Sequence, residues 1–121
     1  MSVAVGTDLI EIERIRRSLA RYARFRERCF TEAERAYCLS RANPPQHFAA
    51  RFAGKEAVGK ALGCGVEFMW TDIEISGRPK PSVTLSGQVA RFAEHVAAGA
   101  IDLSMTHSKG MAGAVAIVHD T

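Results

Sequence analysis

The sequence predicts an α+β fold, with N-terminal helices packed on an antiparallel sheet. Two observations carry this prediction. Apolar residues in the first half recur at three and four positions, the period of a helix, whereas "IDLSMTHS" and "MAGAVAIVH" near the end alternate as strands do. No repeat, low-complexity stretch or linker interrupts the 121 residues, so one domain over 1–121 is expected, long enough for its own core.

Each element has its own signal. Residues 2–7, "SVAVGT", alternate as a short strand that ends at Asp8. From 11 to 29 the spacing turns helical, with Ile12, Ile15, Leu19, Tyr22 and Cys29 on one face. Thr31 followed by Glu34 fits a capping box and opens a helix through "EAERAYCLS". "NPP" at 43–45 is a break, and a helix over 46–62 follows, stopped by Gly63 and Gly65. "MWTDIEISG" and "PSVTLSG" read as strands around a "GRP" turn, and 88–98 as a surface helix. The two terminal strands meet at Lys109–Gly110 in a hairpin turn.

Composition excludes several classes. With 47% hydrophobic and 24% charged residues the chain reads as globular, and its apolar runs fall far short of the roughly 20 residues a membrane helix needs. The N-terminus lacks the basic region of a signal peptide. Three cysteines without CxxC spacing suggest neither a disulfide framework nor a zinc site, so a reduced, cytoplasmic protein is expected. The net charge is +3, yet residues 11–28 hold seven arginines against three glutamates, +4 in that segment alone. Arg14, Arg17, Arg21, Arg24 and Arg28 step by three and four along one helical stripe bordered by Phe25. A solvated basic face is the plain reading; an acidic helix or a phosphate backbone is the functional one. No nucleic-acid motif, P-loop, GxGxxG, HExxH or GxSxG is present.

The chemistry centres on "RFAGKEAVGKALGCG", residues 51–65, where a helix of small apolar residues carries Lys55, Glu56 and Lys60. A carboxylate in apolar surroundings is costly unless paired or metal-bound. Two converging carboxylates, Asp8 and Glu56, would be reconciled by a hard divalent cation. Two are too few for calcium but suit magnesium, which keeps waters and takes substrate phosphate oxygens. Lys60 stands one turn after Glu56 and would offset phosphate charge, although on spacing alone an exposed i,i+4 ion pair is the plainer reading. His107 at a strand end is a base, a phosphate ligand or an ordinary hydrogen-bonded residue.

Four segments, in order, resemble the short, bacterial-type 4′-phosphopantetheinyl transferases, the holo-[acyl-carrier-protein] synthase family. They are "GTDLIEIERI" (6–15), "CFTEAERAYC" (29–38), "RFAGKEAVGKALGCG" (51–65) and "LSMTHSKGMAGAVAIV" (103–118). The resemblance implies the family's fold and its reaction: phosphopantetheine passes from coenzyme A to a serine of apo acyl carrier protein, leaving adenosine 3′,5′-bisphosphate. It implies Asp8 and Glu56 as magnesium ligands, Lys60 as a stabiliser of the reacting phosphoryl group with help from Lys55, and Arg51 and His107 along the coenzyme A site. Arg14, Arg21, Arg24 and Phe25 would receive an acidic helix of the carrier protein. The base stays open between Glu56, acting directly or through a water it orients, and His107. A homotrimer with sites between subunits is a further implication, and the carrier, of fatty acid or polyketide biosynthesis, stays open. Gly59 stands where members often carry a bulkier residue. The competing reading is a non-catalytic binding module that uses the arginine helix alone.

Overall fold

The computed structural model describes residues 2–120. Strand β1 (Val3–Glu11) leads into helices α1 (Ile12–Arg21), α2 (Phe25–Cys29), α3 (Glu32–Ser40) and α4 (Pro44–Leu62). A 3₁₀ turn (Trp70–Asp72) precedes β2 (Ile73–Ser76) and β3 (Ser82–Leu85), and α5 (Gly87–His95) precedes β4 (Ala100–His107) and β5 (Met111–His119). The expected mixture of helices and antiparallel sheet is present, with a partition of its own. β1 joins the C-terminal hairpin in a three-stranded sheet of order β1-β5-β4, while β2 and β3 pair separately.

The small residues of α4 explain the architecture. Phe48, Ala49, Ala53, Ala57 and Val58 are fully buried, because α4 crosses the three-stranded sheet and also meets α1, α3 and β2. Along β1, Gly6 and Ile10 are buried while Val3, Val5 and Leu9 are 64%, 64% and 68% exposed, the period-2 alternation of a strand with one covered face. A Cβ on Gly6 would stand 2.6 Å from the Ala61 amide nitrogen and against the Ala57 carbonyl, so strand and helix meet backbone to backbone. The helix opens on the prolines and ends at Gly63, whose φ of 94° is left-handed and whose N–H bonds the Gly59 and Lys60 carbonyls.

Two sequence expectations are corrected. β1 continues to Glu11, so Asp8 lies within the strand, opposite Ala114 of β5, and not at its end. The helix expected over 11–29 breaks after Arg21, leaving Tyr22 exposed and off the apolar face. The break re-aims Phe25, which stacks on Phe52 at 6.0 Å and meets Phe30 edge-on at 6.1 Å. Burying that ring outweighs one continuous helix. The five arginines therefore span two helices and the turn between them. The capping box is present: Thr31 accepts from the Glu34 N–H and Glu34 accepts from the Thr31 N–H. "MWTDIEISG" holds a strand only from Ile73.

Candidate active site

The close approach at Gly6 delivers Asp8 to α4 two residues later, on the same face of β1. There the Lys60 ammonium donates to Asp8 Oδ1 at 3.3 Å and to the Thr7 carbonyl at 3.1 Å. The Asp8 side chain is 13% exposed, and its other oxygen, Oδ2, is buried without a hydrogen-bond partner among the described residues. Glu56, one turn before Lys60, shares this neighbourhood. Burial raises its carboxyl above the usual range, the Asp8 charge raises it further, and Lys60 and Arg14 pull it back. Asp8, Glu56 and Lys60 are thus brought together, with Arg14 of the basic helix close enough to be felt. The arrangement suits a hard cation: an orphaned buried carboxylate oxygen and a second carboxylate disfavoured by the first. Among the described residues no group of three or more His, Cys, Asp and Glu side chains could hold a metal, so its remaining ligands would be water or substrate oxygens.

Arg51 and His107 come together elsewhere, in a cavity of about 460 Å³ that they line with Tyr37, His47, Arg78 and Lys80. Neither Asp8 nor Glu56 lines it, nor does any other carboxylate. Arg51 is 5% exposed, its guanidinium lies 4.3 Å from the centre of the Tyr37 ring, and its Nε is buried without a partner among the described residues. Arg78 donates to the Tyr37 hydroxyl at 3.0 Å, which pulls that phenol below its ordinary value. His107 is 3.0 Å from the Gln46 side-chain amide nitrogen. Burial, with Arg51 and Arg41 beside it, holds His47 below the ordinary histidine range. Lys80 is 3.8 Å from Asp102, which lies outside the lining; no carboxylate lines the cavity itself, and its volume and net positive charge fit a small anionic ligand. Sequence reading missed Tyr37, His47, Arg78 and Lys80. The signal for the last two was "GRPKP", where two basic residues alternate with two prolines in a stretch read only as a turn.

Lys55 is a correction. It is 0% exposed, its ammonium is 2.7 Å from Glu34 Oε1 and 2.9 Å from the Trp70 carbonyl, and it faces the core. A fully covered ammonium already paired with a carboxylate has no surface to offer a phosphate in this structure, which favours a core role over the expected coenzyme A contact. Glu34 Oε2 accepts from the Ile75 N–H at 2.8 Å, so the pair ties α3, α4 and β2 together. Gly59 also finds its reason: a Cβ there would lie 2.7 Å from the Phe68 ring and against the Gly65 carbonyl, where the chain folds back over the end of α4.

Arg14, Arg21 and Arg24 are exposed, as the docking reading requires. Arg21, Arg24 and Phe25 line a cleft of about 620 Å³ together with Tyr22, Arg28 and Trp70. Phe25 is half-buried and supports the cleft from below the basic rim.

Residues 4–116 match the model of the 4′-phosphopantetheinyl transferase superfamily. The chain is 46% identical to a holo-[acyl-carrier-protein] synthase of Moorella thermoacetica, over 96% of this chain and 93% of that protein. It is 45% identical to the Chlamydia muridarum protein of the same name, over 97% and 94%. Among solved structures it resembles the Neisseria meningitidis holo-[acyl-carrier-protein] synthase with a TM-score of 0.86 at 25% identity, covering 97% of this chain and 98% of that one. The Helicobacter pylori enzyme, solved in complex with coenzyme A, superposes with a TM-score of 0.82 at 32% identity, covering 95% and 99%. With these motifs, this fold and these relatives, the chain belongs to the 4′-phosphopantetheinyl transferase superfamily.

Proposed function

We propose that this chain is a magnesium-dependent holo-[acyl-carrier-protein] synthase, acting as one transferase domain over 1–121. It moves 4′-phosphopantetheine from coenzyme A to a serine of apo acyl carrier protein and releases adenosine 3′,5′-bisphosphate. The observation that carries this reading is the Asp8–Glu56 pair, with one orphaned buried oxygen, beside Lys60.

The chemistry is positioning and charge. Magnesium held by Asp8 and Glu56 would offset the charge of the pyrophosphate and ease departure of the bisphosphate. Lys60, 43% exposed at its side chain, would offset charge on the phosphoryl group being transferred. Glu56 accepts the serine proton, directly or through a water it orients. His107 faces the basic cavity with Arg51, which suits a ligand of the nucleotide phosphates more than a base. The exposed arginines Arg14, Arg21 and Arg24 receive the acidic helix of the carrier, and Phe25 underlies that cleft.

A homotrimer fits two features. Val3, Val5 and Leu9 of β1 with Val115 and Ile117 of β5 leave one sheet face apolar and exposed. Neither Asp8 nor Glu56 lines the basic cavity, which fits a site completed by a neighbouring copy. No helix of the described residues is long and apolar enough to cross a membrane, and a cytoplasmic location suits the buried free thiols Cys29 and Cys38.

The test is intact-mass spectrometry of an apo acyl carrier protein incubated with the chain, coenzyme A and magnesium. A phosphopantetheine mass gain that EDTA abolishes supports both reaction and metal. Glu56→Gln should lose that gain while keeping its helical circular dichroism; full turnover in this variant would remove Glu56 from the metal site.

A further inference from the structure

We infer that Lys60 is the resident counter-cation of Asp8, which a divalent cation must displace, so that the metal is taken up together with a pyrophosphate and not ahead of it. The inference rests on the proposed metal site and adds an order of events to it.

Three observations meet here. The Lys60 ammonium is held at two points, by Asp8 Oδ1 at 3.3 Å and by the Thr7 carbonyl at 3.1 Å, and both belong to β1. Asp8 is largely covered while Lys60 is 43% exposed, so the acceptor is fixed and the cation is on the open side. The only Asp8 oxygen without a partner is Oδ2, buried beside the bonded Oδ1. A dication seated on this carboxylate would therefore lie within a few ångströms of an ammonium.

That arrangement is unfavourable as long as Lys60 has nowhere else to go. A unit charge about 5 Å from a dication weakens its binding roughly tenfold even in a water-like dielectric, and more where the site is partly covered. A pyrophosphate changes the balance because it offers Lys60 an anionic partner on the same open side. The four-carbon stem, already half in solvent, reorients at little cost. Asp8 Oδ1 is then released, and binding of metal and pyrophosphate become mutually favourable by linkage. Lys60 thus sets when the site is charged, in addition to what it does to phosphate once there.

Mn²⁺ binding followed by the loss of its free-ion electron paramagnetic resonance signal tests this without turnover. In the absence of coenzyme A, Lys60→Gln should bind Mn²⁺ at least about tenfold more tightly than the wild type. Lys60→Arg, which keeps the charge, should stay as weak as the wild type. Adding coenzyme A should tighten Mn²⁺ binding strongly in the wild type and much less in Lys60→Gln. Circular dichroism verifies the fold of each variant, and Asp8→Asn marks the site. Equal Mn²⁺ affinity of wild type and Lys60→Gln without coenzyme A, with Asp8→Asn still abolishing binding in its presence, overturns the inference and leaves the metal site standing. No Mn²⁺ binding by the wild type even with coenzyme A overturns both.

Discussion

Lys55→Met separates the burial of Lys55 from the phosphate role suggested by its place in the motif. The substitution keeps the length of the side chain and removes its charge. It leaves Glu34, itself 1% exposed, without the ammonium 2.7 Å away. Burial pushes the Lys55 ammonium down, and the Glu34 charge 2.7 Å away pulls it back. Removing one partner of a buried pair costs about 3–5 kcal/mol. Glu34 would keep the Thr31 N–H at 2.9 Å and the Ile75 N–H at 2.8 Å, which argues for the lower end. A loss of about 3 kcal/mol is a large share of the stability of a domain this size and should lower Tm by roughly 10–15 °C. Adding Glu34→Gln should restore part of the loss, because the orphaned charge goes while an acceptor remains. Urea unfolding followed by circular dichroism and by the single tryptophan, Trp70, measures both variants. If Lys55→Met unfolds within about 0.5 kcal/mol of the wild type and instead raises KM for coenzyme A, Lys55 reaches phosphate and the core assignment is wrong.

Three further outcomes are expected. Gly6→Ala forces a methyl into the α4 backbone and should cost about 1–3 kcal/mol while weakening Mn²⁺ binding in the presence of coenzyme A, since Asp8 must shift with the strand; unchanged Mn²⁺ affinity would separate the two. His47, depressed below 6.5, contributes stability present above that value and lost as pH falls through its folded value, so His47→Gln should flatten the acid side of the stability curve; an identical curve would refute the assignment. Reversing Arg14 and Arg24 to Glu should weaken carrier binding at low salt and matter little at 1 M, where the Debye length is about 3 Å; wild-type affinity indifferent to salt would refute electrostatic docking.

What the sequence made legible was local. Thr31 and Glu34 announce a helix start, Gly63 a helix end and Lys109–Gly110 a hairpin, because each signal and its partner lie within a few residues. Asp8, Glu56 and Lys60 converge because β1 and α4 touch at Gly6, a contact between residues about fifty positions apart that no period reports. The fate of Lys55 was illegible for the same reason. Beside Glu56 it looks like one of two equivalent lysines, and only Glu34, twenty-one residues away on another helix, makes it a core residue. The break at 22–24 follows from Phe25 seeking Phe52, which a helical wheel of residues 11–29 ignores.

β1 is hydrogen-bonded on one side only, at the rim of its sheet, whereas α4 is buried on nearly every side. Local openings take the least free energy at such rims. Asp8 therefore rides on the element expected to exchange its amides earlier, and Glu56 and Lys60 on the element expected to exchange later. The two halves of the proposed cation site thus stand on elements of unequal protection. A ligand that joins Asp8 to Glu56 would act as a clasp, lending the protection of the central helix to the outermost strand.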